Sequence, residues 1–357
     1  MDTRTSKFLK SLCEKGNAFI NCVPEIATES DLDLSQWKKL SDMVYKNYHH
    51  MGQKKKGQNK GKEQHGAHLS RLKKEAGDKK IFYSRFGSDH QFQKISKAGL
   101  ETTTEFRVYI NTCSVNLHQI GFYLLDMLAN KKKWQGVLQF KFAVEEYFDK
   151  VSDAIVVYCA NENIADDAAR QLSDKFGSLL VAPSVEFARE IKAGLAIGES
   201  PIDFNCSFGE LRSMAVAKAV RWYFHPDSGR NFRFDYFKFL TERSFVEFGI
   251  DANRVYRNGS EQPKIKSSRG EILPEILTLL NHFYIGAHDA GLDIPPSGLT
   301  PGPSGVRGTG SAKKAATTAR NASATKTANK AATGRNRSRT RGHGRSGGRK
   351  GSPSKKR

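Results

Sequence analysis

The distribution of apolar and polar residues between positions 81 and 159 predicts four strands of one sheet. Residues 104–111 and 137–144 alternate between apolar and polar side chains, which is the two-residue period of a strand with one buried face. Residues 154–159 are almost continuously apolar, as is typical of a central strand. A shorter strand is predicted at 81–86. The alternating segments give the sheet a polar face that carries Arg107, Tyr109 and Lys141.

Apolar residues three or four positions apart predict helices around this sheet. The predicted helical segments are 5–49, 115–130, 164–179, 207–221, 235–248 and 272–290. Ser207, followed three residues later by Glu210, is the pattern of a capping box. Because strands and helices do not alternate strictly, the sequence predicts an α+β fold, with a mixed or antiparallel sheet flanked by helices.

Composition divides the 357 residues into four predicted parts. Residues 1–51 form an N-terminal helical part, and residues 81–292 form the α+β domain. Residues 52–80 are rich in lysine, glycine and glutamine, which favours a solvated basic linker, with an accessory nucleic-acid patch as the alternative. Residues 293–357 contain almost no large apolar side chain, so they cannot bury enough surface to offset the entropy of ordering. We therefore expect a disordered tail.

The formal charge of +21 is concentrated in this tail. Residues 311–357 hold 15 lysines and arginines and no acidic residue, so the remainder of the chain carries the other +6. Polycations bind phosphates and release counterions, which predicts nucleic-acid binding without sequence preference. A nuclear-import signal and a solubilising or secretion-related tail are the alternatives. The predicted nucleic-acid-binding residues are Lys313, Lys314, Arg335, Arg337, Arg339, Arg341, Arg345, Arg349, Lys350, Lys355, Lys356 and Arg357.

The spacing of the cysteines indicates the redox environment of the protein. None of the five belongs to a CxxC pair or has metal-ligand spacing, so we expect free thiols, no bound metal and a reducing, cytoplasmic environment. Translocation into a host cell and a nuclear location stay open. No apolar run reaches the roughly 18 residues of a membrane span, and residues 1–7 lack the apolar segment of a secretory signal. The sequence predicts no membrane association and does not indicate an oligomeric state.

The polar face of the sheet suits a phosphorylated ligand. Arginine binds phosphate through paired N–H donors, and a lysine whose neutral form is favoured by burial and nearby cations can take a proton from carbon. Each residue also has a structural interpretation. The structural interpretations are a solvated Lys141, an ion pair from Arg107 to Glu210 or Asp153, and packing by Tyr109 and Tyr158.

Over roughly residues 38–251, the sequence resembles the HopA-type family of bacterial type III secretion effectors. The resemblance rests on segments in a fixed order: 44–48, 107–111, 140–142, 153–158, 193–201, 207–212 and 248–251. That family looks like the phosphothreonine lyase effectors of the OspF/SpvC kind and the lyase components of class V lanthipeptide synthetases. Such lyases remove phosphate by β-elimination and leave a dehydroamino acid, without a metal or an organic cofactor.

The resemblance implies roles for individual residues. Lys141 matches the general-base lysine, and Arg212 lies in a segment like one that binds phosphate. Tyr158 matches a tyrosine on the neighbouring strand. Lys150 stands near the place of a phosphate-binding arginine. A cofactor-free carbon–oxygen lyase with a phosphorylated protein or peptide as its substrate is therefore expected.

One segment departs from the lyase pattern. The lyases carry Lys-Phe-His on the first strand, with the histidine as the acid, and this chain has Glu105–Arg107 there. Arg107 stays protonated near neutral pH, so it can hold a phosphate but is a poor proton donor. Tyr109 or His118 would have to supply the proton.

Three functions are compatible with these patterns. An effector-like phosphothreonine lyase held to nucleic acid by its tail predicts that Lys141, Arg107 and Arg212 converge in one pocket. A non-enzymatic module that binds a phosphorylated ligand or nucleic acid predicts converging cations without an acid. A nucleic-acid-packaging protein predicts a continuous basic face, and the mild +6 outside the tail weighs against it.

Overall fold

A computed structural model describes residues 1–29, 31–48, 62–86, 92–96, 104–130, 132–202, 206–225, 233–260 and 274–281. All of them lie in the first of two units, residues 1–298. The predicted tail with all its nucleic-acid-binding residues, residues 52–61 of the predicted linker, and residues 272–273 and 282–290 of the last predicted helix lie outside the described residues.

Seven strands form one sheet within the described residues, and every neighbouring pair is antiparallel. The strands are β1 Phe82–Phe86, β2 Phe92–Ser96, β3 Phe106–Ile110, β4 Val137–Ala143, β5 Ile155–Cys159, β6 Arg189–Lys192 and β7 Leu195–Glu199. Their order across the sheet is β1-β2-β4-β5-β3-β7-β6. The predicted strands β1, β3, β4 and β5 are confirmed, and the nearly continuous apolar strand β5 is central, as expected.

Ten α-helices surround this sheet in the described part of the chain. They are α1 Thr3–Glu14, α2 Gly16–Cys22, α3 Leu34–Tyr48, α4 Lys62–Asp78, α5 Leu117–Ala129, α6 Glu145–Phe148, α7 Glu162–Phe176, α8 Phe208–Phe224, α9 Phe234–Glu247 and α10 Pro274–Asn281. Two short 3₁₀ helices, Pro24–Ala27 and Ser114–Asn116, precede α3 and α5. An antiparallel sheet flanked by helices confirms the predicted α+β fold.

The two faces of the sheet belong to different cores. The α5 face, which includes Val108, Phe140 and Val157, packs in one apolar cluster with residues of α4, α5 and α7. The α8 face, which includes Tyr109 and Val156, packs in a second cluster with residues of α3, α8 and α9. Strand side chains point alternately to the two faces, so Lys141, next to Phe140, belongs to the α8 face.

Helix α8 is the centre of the second core. Ser207 and Glu210 each accept a hydrogen bond from the other's backbone N–H, so the predicted capping box is confirmed. Every residue from 208 to 223 except Glu210 is buried. A Cβ on Gly209 would lie 2.4 Å from the Tyr48 ring, so glycine permits α3 to approach the start of α8 this closely.

The N-terminal helices contribute to the same core. Four apolar residues at helical spacing in α3 are buried there: Trp37, Leu40, Val44 and Tyr48. Arg221 of α8 donates hydrogen bonds to the carbonyls of Ile26 and Glu29, which ties α8 to the segment between α2 and α3.

Part of the predicted basic linker is helical. Residues 62–78 form α4, where Leu72 and Ala76 are buried in the core beneath α5. Leu72 lies against Gly121 of α5. The few apolar residues of α4 stand at helical spacing among many polar ones, so composition alone indicated a solvated loop.

Two strands had no sequence signal. Strand β2 is short and its neighbours in the chain are polar, and β6 consists of the charged segment Arg189–Lys192, mostly exposed at the edge of the sheet. Both are held by backbone pairing with a stronger strand, β4 for β2 and β7 for β6. Strand β7 lies in the glycine-punctuated segment 194–201.

Two further observations concern the cysteines and the lengths of the helices. All five cysteines are free thiols, and Cys113 and Cys159 are buried. Burial raises the pKa of the Cys159 thiol to about 12, so this group stays neutral at pH 7. None of the helices in the described ranges is long and apolar enough to cross a membrane.

Candidate functional site

Strand register brings the predicted polar residues to the α8 face. Arg107 of β3 is the direct partner of Tyr158 on β5, and Tyr109 is the partner of Val156. Val156 is in turn the partner of Lys141 on β4. Direct partners in antiparallel strands point to the same face. The sheet therefore presents Arg107, Tyr109, Lys141 and Tyr158 on one surface.

Arg107 is the cation at the centre of this surface. Its side chain is half-buried, its Nε donates to the Ser200 hydroxyl at 3.0 Å, and its guanidinium carbon lies 5.3 Å from the centre of the Tyr158 ring. Burial lowers the pKa of Arg107, but Tyr109 and Tyr158 outweigh it and hold this pKa above its usual range. Among the described residues Arg107 has no ion pair, so the alternative pairing with Glu210 or Asp153 is not formed.

Tyr109 places a neutral hydroxyl beside Arg107. This hydroxyl is buried and forms no hydrogen bond of ordinary geometry with any described residue. The Arg107 guanidinium is nevertheless close enough to gain from it electrostatically. Burial raises the pKa of Tyr109 although Arg107 and Arg212 oppose the shift. At neutral pH the phenol keeps its proton and can donate it in a hydrogen bond.

Arg212 forms the base of the site. The side chain is fully buried, and it donates hydrogen bonds to the carbonyls of Val255, Phe208 and Arg257 at 2.6, 3.3 and 3.3 Å. Its guanidinium carbon lies 3.6 Å from the centre of the Phe208 ring. Burial lowers the pKa of Arg212 to about 10, so it is still a cation at pH 7. Its donors serve the backbone, and its charge acts on the site from behind.

Lys141 lies beside this group. Its side chain is half-buried on β4, with Val156 between it and Tyr109. Two strand spacings separate the β4 and β3 backbones by about 10 Å, a distance that two long side chains and a bound ligand can span. On its other side, Lys141 is the direct partner of Lys94 on β2, a residue that sequence reasoning missed because β2 was not predicted.

Two candidate residues lie elsewhere. Lys150 is exposed in the turn after α6, where its Nζ lies 5.6 Å from the centre of the Tyr147 ring, and it contacts neither Arg107 nor Arg212 in the described structure. His118 is the second residue of α5, on the opposite face of the sheet, and its ring stacks on that of His68 with the ring centres 4.5 Å apart. Of the two candidate proton donors, Tyr109 and His118, only Tyr109 lies on the face that carries Arg107.

Helix α3 and the start of α8 add groups that the sequence did not assign to the site. Tyr45 and Tyr48 stack at 5.8 Å, and Tyr48 and Tyr109 both lie near Phe208. Burial raises the pKa of both α3 tyrosines, and Asp153 adds to the effect. Burial also raises the pKa of Cys206 to about 12, against the pull of Arg107 and Arg212.

The arrangement suits an anionic ligand. Two arginines contribute charge, neutral hydroxyl groups surround them, and a half-buried lysine adjoins them. In the described ranges, no group of three or more histidine, cysteine or acidic side chains could hold a metal ion. Of the three residues predicted to converge, Arg107 and Arg212 both act electrostatically on Tyr109. Lys141 lies on the same face, on β4, two strands from Tyr109.

Comparisons with known proteins agree with this architecture. Residues 88–257 match the HopA1 effector protein family. The structure of an effector protein from Pseudomonas syringae pv. tomato strain DC3000 has a TM-score of 0.51 at 14% identity, over 69% of this chain and 100% of that chain. An effector structure from Pseudomonas syringae pv. syringae strain 61 gives 0.51 at 12% identity, over 72% and 99%. No curated protein sequence gives a significant match.

At these identities the two solved structures show that the fold is shared. The similarity in sequence is shown by the family match over residues 88–257. The matched segment starts before β2 and ends after α9, so it contains every residue of the candidate site except those of α3. Residues 88–257 of the chain match the HopA1 effector protein family, which agrees with the resemblance found in the sequence.

Proposed function

We propose that the α8-face site binds a phosphorylated side chain of a host protein and eliminates its phosphate. One observation carries this proposal: the half-buried Arg107 guanidinium shares a sheet face with the neutral Tyr109 hydroxyl and with Lys141. Arginine is the residue best suited to a phosphate. An effector delivered into a host cell would meet such substrates among phosphorylated proteins.

The chemistry would be a β-elimination. Lys141 takes the Cα proton of phosphothreonine, a double bond forms between Cα and Cβ, and the Cβ–O bond breaks with its electrons leaving on phosphate. Arg107 balances the phosphate charge, and Tyr109 donates a hydrogen bond to the leaving oxygen. The proton on Lys141 returns through solvent to the released phosphate, so the products are a dehydroamino acid and hydrogen phosphate.

Mass spectrometry of phosphothreonine peptides incubated with the full-length protein tests both steps. Wild-type protein should produce peptides lighter by about 98 Da, the mass of phosphoric acid. Lys141→Ala should slow this loss by a factor of about 100 to 10,000, since it removes the base. Lys132→Ala, an exposed lysine ahead of β4, is the matched control and should retain the wild-type rate.

Binding measurements with the same peptides separate recognition from reaction. Arg107→Gln should weaken phosphopeptide binding by about tenfold or more, because it removes a charge-assisted contact. Phosphate-dependent binding without any mass change would leave a phosphopeptide-binding module, the non-enzymatic alternative. Equal affinity for phosphorylated and unphosphorylated peptides would contradict the phosphate site itself.

We also propose that the tail binds nucleic acid. Its support is compositional: 15 cations and no acidic residue within residues 311–357, with no aromatic side chain for base stacking. The full chain should bind DNA or RNA of any sequence with an affinity that falls steeply with salt. A protein ending at residue 292 should lose most of this binding and its salt dependence. Retention of both in the shortened protein would place nucleic-acid binding elsewhere.

A further inference from the structure

We propose that Ser200 and Asn258 position Arg107, so that its guanidinium binds phosphate end-on, through the two terminal nitrogens Nη1 and Nη2. Both are positioning residues, because Ser200 contacts Arg107 and Asn258 fixes Ser200. This inference rests on the proposed function for the identity of the ligand. The orientation of Arg107 itself can be measured without a ligand.

The contacts of Arg107 leave one edge of its guanidinium for a ligand. Nε donates to the Ser200 hydroxyl at 3.0 Å, and the guanidinium carbon lies 5.3 Å from the centre of the Tyr158 ring. A guanidinium carries five N–H groups in one plane. The four on Nη1 and Nη2 donate no hydrogen bond of ordinary geometry to any described residue. They form a paired edge that fits two oxygens of one phosphate.

The Ser200 backbone is held by hydrogen bonds on two sides. Ser200 directly follows β7 and is only 3% exposed. Its N–H donates to the Glu105 carbonyl at 2.6 Å, and its carbonyl accepts from the side-chain amide of Asn258 at 2.7 Å. Because Glu105 immediately precedes β3, these bonds fix Ser200 relative to the strand that carries Arg107. The Ser200 hydroxyl therefore has a defined place from which to accept the Nε–H.

Asn258 ends a loop, residues 250–258, that is closed on itself and bound to β7. Ile250 and Asn258 form an antiparallel bridge at the base of this loop. The Glu199 N–H donates to the Tyr256 carbonyl, and the Asn258 N–H donates to the Glu199 carboxylate, each at 2.8 Å. The backbone and the side chain of Asn258 thus bind the last residue of β7 and the residue after it.

The buried Arg212 supports the same loop from the α8 side. It donates hydrogen bonds to two carbonyls of the loop. The Arg257 side chain forms ion pairs with Glu199 of β7 and Glu162 of α7. The loop is therefore held by three elements, α7, α8 and β7. Through it, Arg212 contributes to the orientation of Arg107 without contacting the ligand.

The side chain of Asn258 adds little net stability. Its oxygen is buried and has no hydrogen-bond partner among the described residues. A buried acceptor without a donor destabilises a fold, and this cost offsets the hydrogen bond that the amide donates to Ser200. Asn258→Ala removes both groups, so we expect the protein to stay folded while Ser200 loses its support.

NMR of the full-length protein tests the orientation without a ligand. The Nε–H signal of Arg107 is identified by its absence in Arg107→Gln, and its rate of exchange with water is measured. Ser200→Ala should raise this rate about tenfold, because it removes the acceptor, and Asn258→Ala should raise it about threefold. Asn253→Ala, at an exposed position of the same loop, is the matched control and should keep the wild-type rate. A wild-type rate in Ser200→Ala would overturn the positioning.

Binding of a phosphothreonine peptide tests the end-on contact. Ser200→Ala should weaken binding about fivefold, and it should have no further effect when combined with Arg107→Gln, because it acts through Arg107. Unchanged or tighter binding in Ser200→Ala would show that phosphate takes the Nε–H instead, and would overturn the proposal. Equal losses with and without Arg107→Gln would also overturn it. If wild type binds phosphorylated and unphosphorylated peptides equally, the phosphate site fails, while the exchange rates still decide the positioning of Arg107.

Discussion

Glu247→Ala should lower the free energy of unfolding by about 3 to 5 kcal/mol, as measured by urea denaturation. The Glu247 carboxylate of α9 accepts a hydrogen bond from the ammonium of Lys218 on α8, whose side chain is only 2% exposed. Lys218 also donates to the Leu279 carbonyl of α10. Burial lowers the pKa of Lys218, and Glu247 opposes this shift. Without Glu247 the buried ammonium loses its counter-charge and keeps a neutral acceptor.

Two controls isolate the burial of this pair. Glu242, also on α9, pairs with Lys238, and both side chains are more than one third exposed. Glu242→Ala should therefore change stability by less than about 0.5 kcal/mol. The double change Lys218→Met with Glu247→Leu should recover most of the loss, because apolar residues of similar size can replace a buried ion pair. A loss below about 1 kcal/mol in Glu247→Ala would contradict the burial of an ion pair at this place.

The sequence predicted the elements whose pattern is local. Strand β3 and residues 138–142 of β4 alternate between apolar side chains on the α5 face and polar side chains on the α8 face, so both strands could be predicted. The capping box of α8 was equally readable, since its two residues are three positions apart. The loss of stability expected for Glu247→Ala could not be predicted from the sequence. The sequence does not show that Lys218, which lies among apolar residues of the buried helix α8, is paired with Glu247 of α9.

The site was only partly predictable for the same reason. Alternation within a strand places Arg107 with Tyr109, and the family resemblance added Lys141 and Arg212. Only the register across strands shows that Lys141 faces Lys94, because this pairing joins residues 47 positions apart. The polar composition of the segment before β1 did not indicate the helix α4. The family resemblance implied that Arg212 binds a ligand, but only the structure shows that its N–H groups donate to backbone carbonyls.

Arg212→Ala should cost about 3 to 5 kcal/mol of unfolding free energy. The change empties a fully buried volume against Phe208 and removes the Arg212 donor from the Val255 carbonyl, whereas the Arg257 carbonyl keeps a hydrogen bond from the Asp251 N–H. Arg212→Lys should still cost about 2 kcal/mol, since one ammonium cannot reproduce the fork of a guanidinium. Urea unfolding of both variants measures these losses.

Arg107→Ala is the matched comparison, because the half-buried Arg107 side chain donates one hydrogen bond within the described residues, to Ser200. It should cost no more than about 1 kcal/mol of stability and yet weaken phosphopeptide binding by about tenfold or more. Arg212→Lys, assayed where it is still folded, should bind phosphopeptide within a few-fold of wild type, because its donors serve the backbone. Unchanged stability with lost affinity in Arg212→Lys would instead make Arg212 a direct ligand contact. The two arginines thus separate the tasks of holding a ligand and holding the fold around it.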